Sequence, residues 1–199
     1  MNETFYISEI DEKIFARIDG KSYKKSCPLP LSELRYLHVL HKDLSGKTLE
    51  GELICNVRIA EPLTDIFKKL FVENYPIEKI RLIDEYDADD ELSMRDNNSS
   101  CFNFRYVSYT NRISLHGFGL AVDINPLYNP YIKTVDGKKI IAPDTSADFE
   151  DRTKSFPYKI EANDLCCKLF AEHGFKWGGD CWDDEWDYQH FFIEERVVR

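Results

Sequence analysis

The chain has no CxxC pair and no excess of basic residues, and each lack removes a class of function. Its six cysteines, Cys27, Cys55, Cys101, Cys166, Cys167 and Cys181, are scattered, and the neighbours Cys166 and Cys167 are poorly placed to bond to each other. They are read as mostly reduced thiols rather than as a disulfide framework. Lys and Arg total 26 against 36 Asp and Glu, for a formal net charge of -10. So acidic a protein offers no attractive field to nucleic acid or to an anionic membrane, which leaves small, neutral or cationic partners. No stretch approaches the ~18 apolar residues of a membrane span. The start Met1-Asn2-Glu3-Thr4-Phe5-Tyr6 lacks the basic segment and apolar run of a secretory leader. Internal repeats, low-complexity tracts and domain linkers are also missing. The 199 residues therefore read as one domain, large enough to bury roughly 70% of its unfolded surface without staples.

What is present is a mixture of strand and helix patterns. Asp19-Gly20, between Ile14–Ile18 and Lys21–Tyr23, reads as a two-residue hairpin turn and predicts an N-terminal ribbon. Arg35 to His41 alternates as a strand ending near Asp43–Gly46, and Leu53–Val57 is the next strand. Pro62 suits a first helical turn, after which Leu63, Ile66, Phe67, Leu70 and Phe71 recur at helical spacing until Pro76. Ile77 to Ile83 reads as a strand, and the acidic stretch from Asp84 to Ser100 as a long loop, a feature often put to functional use. Cys101 to Val107 alternates, with Phe102, Phe104 and Tyr106 on one face and Asn103 and Arg105 on the other. Two prolines and two asparagines make Asn125–Tyr131 a rigid, irregular wall. A second amphipathic helix is expected from about Ala162 to Glu172, capped by Gly174, with Phe175-Lys176-Trp177 returning after it. Strands and helices are interspersed without βαβ regularity. The expected fold is thus α+β with a mainly antiparallel sheet.

Two widely separated segments hold metal-ligand chemistry. The first is Ser114-Leu115-His116-Gly117-Phe118-Gly119-Leu120-Ala121-Val122-Asp123 and the second Trp186-Asp187-Tyr188-Gln189-His190-Phe191. A catalytic zinc takes three protein ligands and keeps one position open, so His116, Asp123 and His190 can fill such a site and leave Asp187 free. Asp123 ends an apolar run, where a carboxylate needs a partner; a divalent cation is one answer and an arginine salt bridge the other. Asp187 and His190 are three apart, which implies a bulge or a single tight turn if both are to face one ion.

Together the segments match a known pattern. Ser-x-His-x-x-Gly-x-Ala-x-Asp-Ile-Asn-Pro, then Trp-Gly-Gly-Asp, then Asp-Tyr-x-His-Phe resembles the zinc D,D-carboxypeptidase and L-alanyl-D-glutamate endopeptidase family of bacterial cell-wall enzymes. The resemblance runs from about Arg35 to Phe192, leaving residues 1–34 as an N-terminal extension. It implies a fold shared with Hedgehog domains, one zinc per chain on His116, Asp123 and His190, and Asp187 as catalytic carboxylate. Peptidoglycan stem peptides or muropeptides would be the substrates. An arginine stabilises the oxyanion in that family; Arg105 is the first candidate here and Arg95 the second. Ser114 is a candidate for holding a substrate carboxylate, or for orienting the loop backbone.

Other residues are set aside. His38 and His41 have no carboxylate at ligand spacing, and His173 suits a helix C-terminus. Asp180, Asp183, Asp184 and Glu185 lack the alternation of a calcium loop and read as a solvated loop for cationic groups. Asn97-Asn98-Ser99-Ser100 contains glycosylation sequons, and Cys181 stands as if inserted before Trp182, which bears on the cleft nearby.

Overall fold

The computed structural model describes residues 5–107, 110–182 and 185–194. In chain order the elements are β1 (Tyr6–Ser8), α1 (Glu12–Ile18), β2 (Leu34–Lys42), β3 (Thr48–Asn56), α2 (Val57–Val72), β4 (Lys79–Ile80), α3 (Asp90–Arg95) and β5 (Asn98–Ser99). There follow β6 (Ala121–Asp123), β7 (Tyr131–Val135), β8 (Lys138–Ala142), α4 (Leu165–Glu172), β9 (Lys176–Trp177), β10 (Glu185–Asp187) and β11 (His190–Phe192). The strands form small sheets in the orders β1-β2-β3, β10-β7-β8 and β6-β11-β9, all antiparallel, and β4 pairs with β5 in parallel. This is the mixed α+β architecture that the interspersed patterns predict.

The strongest periodicities hold. β2 and β3 pair from Leu34↔Asn56 to Lys42↔Thr48, and α2 buries Leu63, Ile66, Phe67 and Leu70 against them in the main core, which also takes in Phe170 and Phe191. Pro62, expected in the first turn, instead lies well inside α2. The helix starts earlier because Asn56 caps it, its side chain accepting from Arg58 N at 3.0 Å. The second helix begins at Leu165 rather than Ala162, where Asp164 accepts from Cys166 N at 2.8 Å. Gly174 follows it with φ +83, a conformation open to glycine.

The N-terminal ribbon is replaced by a helix. Asp11 accepts from Ile14 N, and the buried Ile18 with Ile14 and Phe15 packs on Leu34, Phe102 and Phe104. A side-chain cap and helical apolar spacing outweigh the local β propensity. Gly20 (φ +75) still turns the chain, but into a bridge rather than a hairpin strand. The strand expected over Ile77–Ile83 shrinks to β4, and the loop expected over Asp84–Ser100 contains a 3-10 turn (Ile83–Tyr86), α3 and β5. Asp89 caps α3 by accepting from Leu92 N at 3.0 Å, with acids in the first turn and Arg95 in the last. Such a short helix is too brief to show a period. Asn97 and Asn98 are each 1% exposed, which puts both sequon asparagines out of reach of a glycan.

Cys101 to Val107 is extended but is not a sheet strand. Its amides and carbonyls bond in turn to unrelated segments: Phe102 N to Ile54 O, Asn103 N to His116 O, Phe104 N to Ser22 O, and Ser114 N to Arg105 O. Phe102 and Phe104 are buried as the alternation requires, whereas Tyr106 is 52% exposed. The segment 125–131 is the irregular wall expected of it: Asn125 has φ 47 and is fully buried, with its side chain bonded to Glu78 N and Pro76 O.

Candidate metal centre

The cluster is assembled by strand register. β6 and β11 pair so that Asp123 lies opposite His190, which puts both side chains on one face of the ribbon. His116 arrives from a 3-10 turn, Leu115–Phe118, that leads into β6. Ser114 caps this turn, its Oγ accepting from His116 N at 3.3 Å. Two glycines let the turn pack closely. A Cβ on Gly117 would lie 2.6 Å from Ile113 Cγ2, and one on Gly119, itself at φ +64, would lie 2.7 Å from Asn56 N. The separation of Asp187 from His190 is resolved by placing them on different strands, at the end of β10 and the start of β11, with Tyr188 and Gln189 turning between them. Of the bulge or tight turn that the spacing implies, the turn is what forms.

The donor atoms converge. His116 Nε2 is 3.1 Å from Asp123 Oδ2, His190 Nδ1 is 2.9 Å from Asp123 Oδ1, and the two ring nitrogens are 3.2 Å apart. His116, Asp123 and His190 are the one group of metal-ligand character found among the described residues, with all donor atoms within 4.8 Å. A tetrahedral ion with bonds of about 2.0–2.1 Å sets its donors roughly 3.3 Å apart, so the three fit one face of such a shell. The second side of His116 is also in order: its Nδ1 donates to Cys101 O at 2.6 Å. That bond leaves the Nε2 lone pair facing the cluster, the usual support of a metal-bound imidazole.

The electrostatics divide the two aspartates. Burial pushes the Asp123 carboxyl up, but the His116 and His190 imidazoles outweigh it and hold it well below the usual range. For His116 the order is similar, with burial lowering and Asp123 raising its pKa to a net increase. Asp187 goes the other way. Burial raises its pKa to about 7, with the Asp123 and Asp90 charges adding to it and His190 and Arg105 opposing. Asp187 Oδ1 is buried with no hydrogen-bond partner among the described residues. Its backbone N donates to Gly178 O at 2.8 Å, and a Cβ on Gly178 would lie 2.9 Å from Asp187 Cβ. The Trp-Gly-Gly turn thus packs directly behind the free carboxylate.

The two candidate arginines separate clearly. Arg105 forms an ion pair with Asp90 at 2.7 Å, keeps a buried Nε without a partner among the described residues, and acts electrostatically on both His116 and Asp187. Arg95 is spent at the surface, its guanidinium on Asp144 at 2.9 and 2.6 Å and on Glu91 at 3.2 Å. Ser114, 6% exposed, orients the loop backbone through its cap. Trp182 lies beside the cluster despite the extra Cys181, stacked on Phe192 at 5.5 Å and 6.3 Å from His190. The other histidines stand apart from the group: His38 stacks on Tyr6, while His41 and His173 bond to the carbonyls of Ile77 and Leu169. Of the acidic run, Asp183 and Asp184 lie outside the described residues. Asp90 and Asn103 were not anticipated. Asn103, 2% exposed with its Oδ1 unpartnered among the described residues, shares the polar face of Arg105, and that alternation is the signal by which it could have been found. Asp90 had none, lying in a stretch read as loop.

Residues 108–193 match the family model described as D-alanyl-D-alanine carboxypeptidase. The match spans His116, Asp123, Asp187 and His190, and it shows over this segment the resemblance to metal-dependent D,D-peptidases that the motifs suggest. No curated protein and no solved structure matches the chain significantly.

Proposed function

We propose that the chain is a zinc metallopeptidase that hydrolyses peptidoglycan stem peptides, as a D-alanyl-D-alanine carboxypeptidase or an L-alanyl-D-glutamate endopeptidase, with one zinc held by His116, Asp123 and His190. Two imidazoles and a carboxylate at tetrahedral spacing suit zinc. When bound, the ion polarises a carbonyl and lowers the pKa of water toward ~7.

The observation that carries the reading is Asp187. Its carboxyl interacts electrostatically with His190 and Asp123, is not one of the three grouped ligands, and keeps a buried Oδ1 without a partner among the described residues. A carboxylate outside the ligand set can take a proton from water and pass it to the leaving amine, the two transfers that peptide hydrolysis needs. A purely structural metal site has no use for such a carboxylate. Arg105 supplies the positive charge, its Nε–H, unpartnered among the described residues, donating to the oxygen that becomes negative in the transition state.

The test is digestion of purified muropeptides by the zinc-loaded protein, with the products weighed by mass spectrometry. Loss of a terminal alanine identifies the carboxypeptidase, and scission before D-glutamate the endopeptidase. Intact muropeptides after exhaustive incubation of fully loaded protein would overturn the reading.

A further inference from the structure

Arg105 has a well-held backbone and an undetermined side chain. Its carbonyl accepts from Ser114 N at 3.0 Å, and the neighbouring Phe104 N donates to Ser22 O at 3.0 Å, so the segment is tied from both edges. Gly117 packs so near that a Cβ there would lie 3.4 Å from Arg105 O. None of this aims a long, flexible guanidinium. The contact that does is with Asp90, whose Oδ2 accepts from Arg105 Nη2 at 2.7 Å; the two side chains are 30% and 31% exposed. Asp90 is itself fixed. It opens α3, where Asp89 caps the helix, and Asn103 Nδ2 donates to Ala88 O at 3.3 Å just before it.

The ion pair uses one arm of a five-donor fork and leaves Nε, which is buried and unpartnered among the described residues. A buried donor without a partner costs stability, so an Nε–H held in that state is free to take an acceptor. An ordinary exposed ion pair contributes little, but this one is anchored at both ends and lies within electrostatic reach of Asp187. Resting on the reading given above for Arg105, we propose that Asp90 is a positioning residue, which holds the Arg105 guanidinium so that Nε–H faces the reacting carbonyl. Like Arg105, it lies outside the segment matched by the family.

The experiment is a double-mutant cycle on the zinc-loaded protein, assayed on the muropeptide it cleaves, beside NMR of ¹⁵N-arginine-labelled protein. The Arg105 Nε–H signal is assigned by its disappearance in Arg105→Lys. Asp90→Ala is expected to lower kcat roughly 10- to 100-fold, the scale of a misplaced catalytic group, with KM and zinc content unchanged and the Arg105 Nε–H signal shifted. Asp90→Asn, which keeps an acceptor of the same size, should recover part of the rate. In an Arg105→Ala background the Asp90 substitution should change nothing further. Losses that add in the double variant, or a wild-type kcat and an unmoved signal in Asp90→Ala, would overturn the proposal. If Arg105→Ala alone keeps kcat, it is the oxyanion role that falls, and the signal still reports whether Asp90 holds the guanidinium.

Discussion

His116, Asp123 and His190 bring their ligand atoms within 2.9, 3.1 and 3.2 Å of one another, whereas Arg105, Asp187 and Asn103 each keep a buried polar atom without a partner among the described residues. The two sides of the site are also built differently. Register between β6 and β11 sets Asp123 against His190, a repeating geometry that tolerates little displacement. Arg105 and Asp90 meet through an irregular segment and a short helix, held by single hydrogen bonds to unrelated parts of the chain. Unpartnered buried groups cost about 1–3 kcal/mol each. On the proposed reading, the first side is the one that would hold an ion and the second the one that would meet a substrate.

Substitutions can break this division, and the largest effect is expected on the metal side. His190→Ala should remove both metal and activity, and elemental analysis of the purified variant checks it; full zinc occupancy there would mean that the ion is held elsewhere. Asp187→Ala should keep the metal and lose roughly 10²- to 10⁴-fold in kcat, the scale of general acid–base assistance. Loss of zinc in that variant would move Asp187 into the ligand set. Arg105→Ala should lower kcat by roughly 10²- to 10³-fold with metal retained, while Arg95→Ala, which breaks surface contacts alone, leaves steady-state kinetics unchanged. The reverse result would exchange the two arginines.

The smallest effect lies far from the ion and concerns stability. Arg17 on α1 forks onto Glu52 of β3 at 2.6 and 2.7 Å. Arg17 and Tyr36 hydrogen bonds together hold the Glu52 carboxyl below its ordinary 4.5, against the opposing effect of burial. A depressed carboxylate contributes stability above its unfolded pKa and loses it as the pH falls through the folded one. Arg17→Ala should therefore cost about 0.5–1 kcal/mol at neutral pH, as a half-exposed pair does. Denaturant titrations should show the difference shrinking below pH 4.5, with zinc content untouched throughout.

Legibility in the sequence followed the regularity of the local pattern. α2 announces itself because Leu63, Ile66, Phe67 and Leu70 share a buried face over several turns. The candidate ligands were readable because residue types with metal affinity cluster in two short stretches, and the spacing of Asp187 and His190 narrowed their connection to a bulge or a tight turn. α1 was misread because Asp19-Gly20 has hairpin chemistry, and the cap from Asp11 that decides for helix is a single hydrogen bond. α3 was missed because a six-residue helix shows barely more than one period.

By itself the sequence determined the acidic charge, the β2 strand and the end of β3, the amphipathic α2, and the two segments that bring His116, Asp123 and His190 together. These depend on composition and on short-range periodicity, which survive without knowledge of distant partners. Tertiary structure alone decided that Arg105 acts electrostatically on His116 and Asp187 while Arg95 pairs with Asp144, that Ser114 caps a turn, and that Asp90 reaches Arg105. It also decided which carboxylate is held ionised and which is raised to about 7. The physical reason is that burial and Coulomb interactions depend on distances between atoms far apart in the chain. No local pattern encodes those distances.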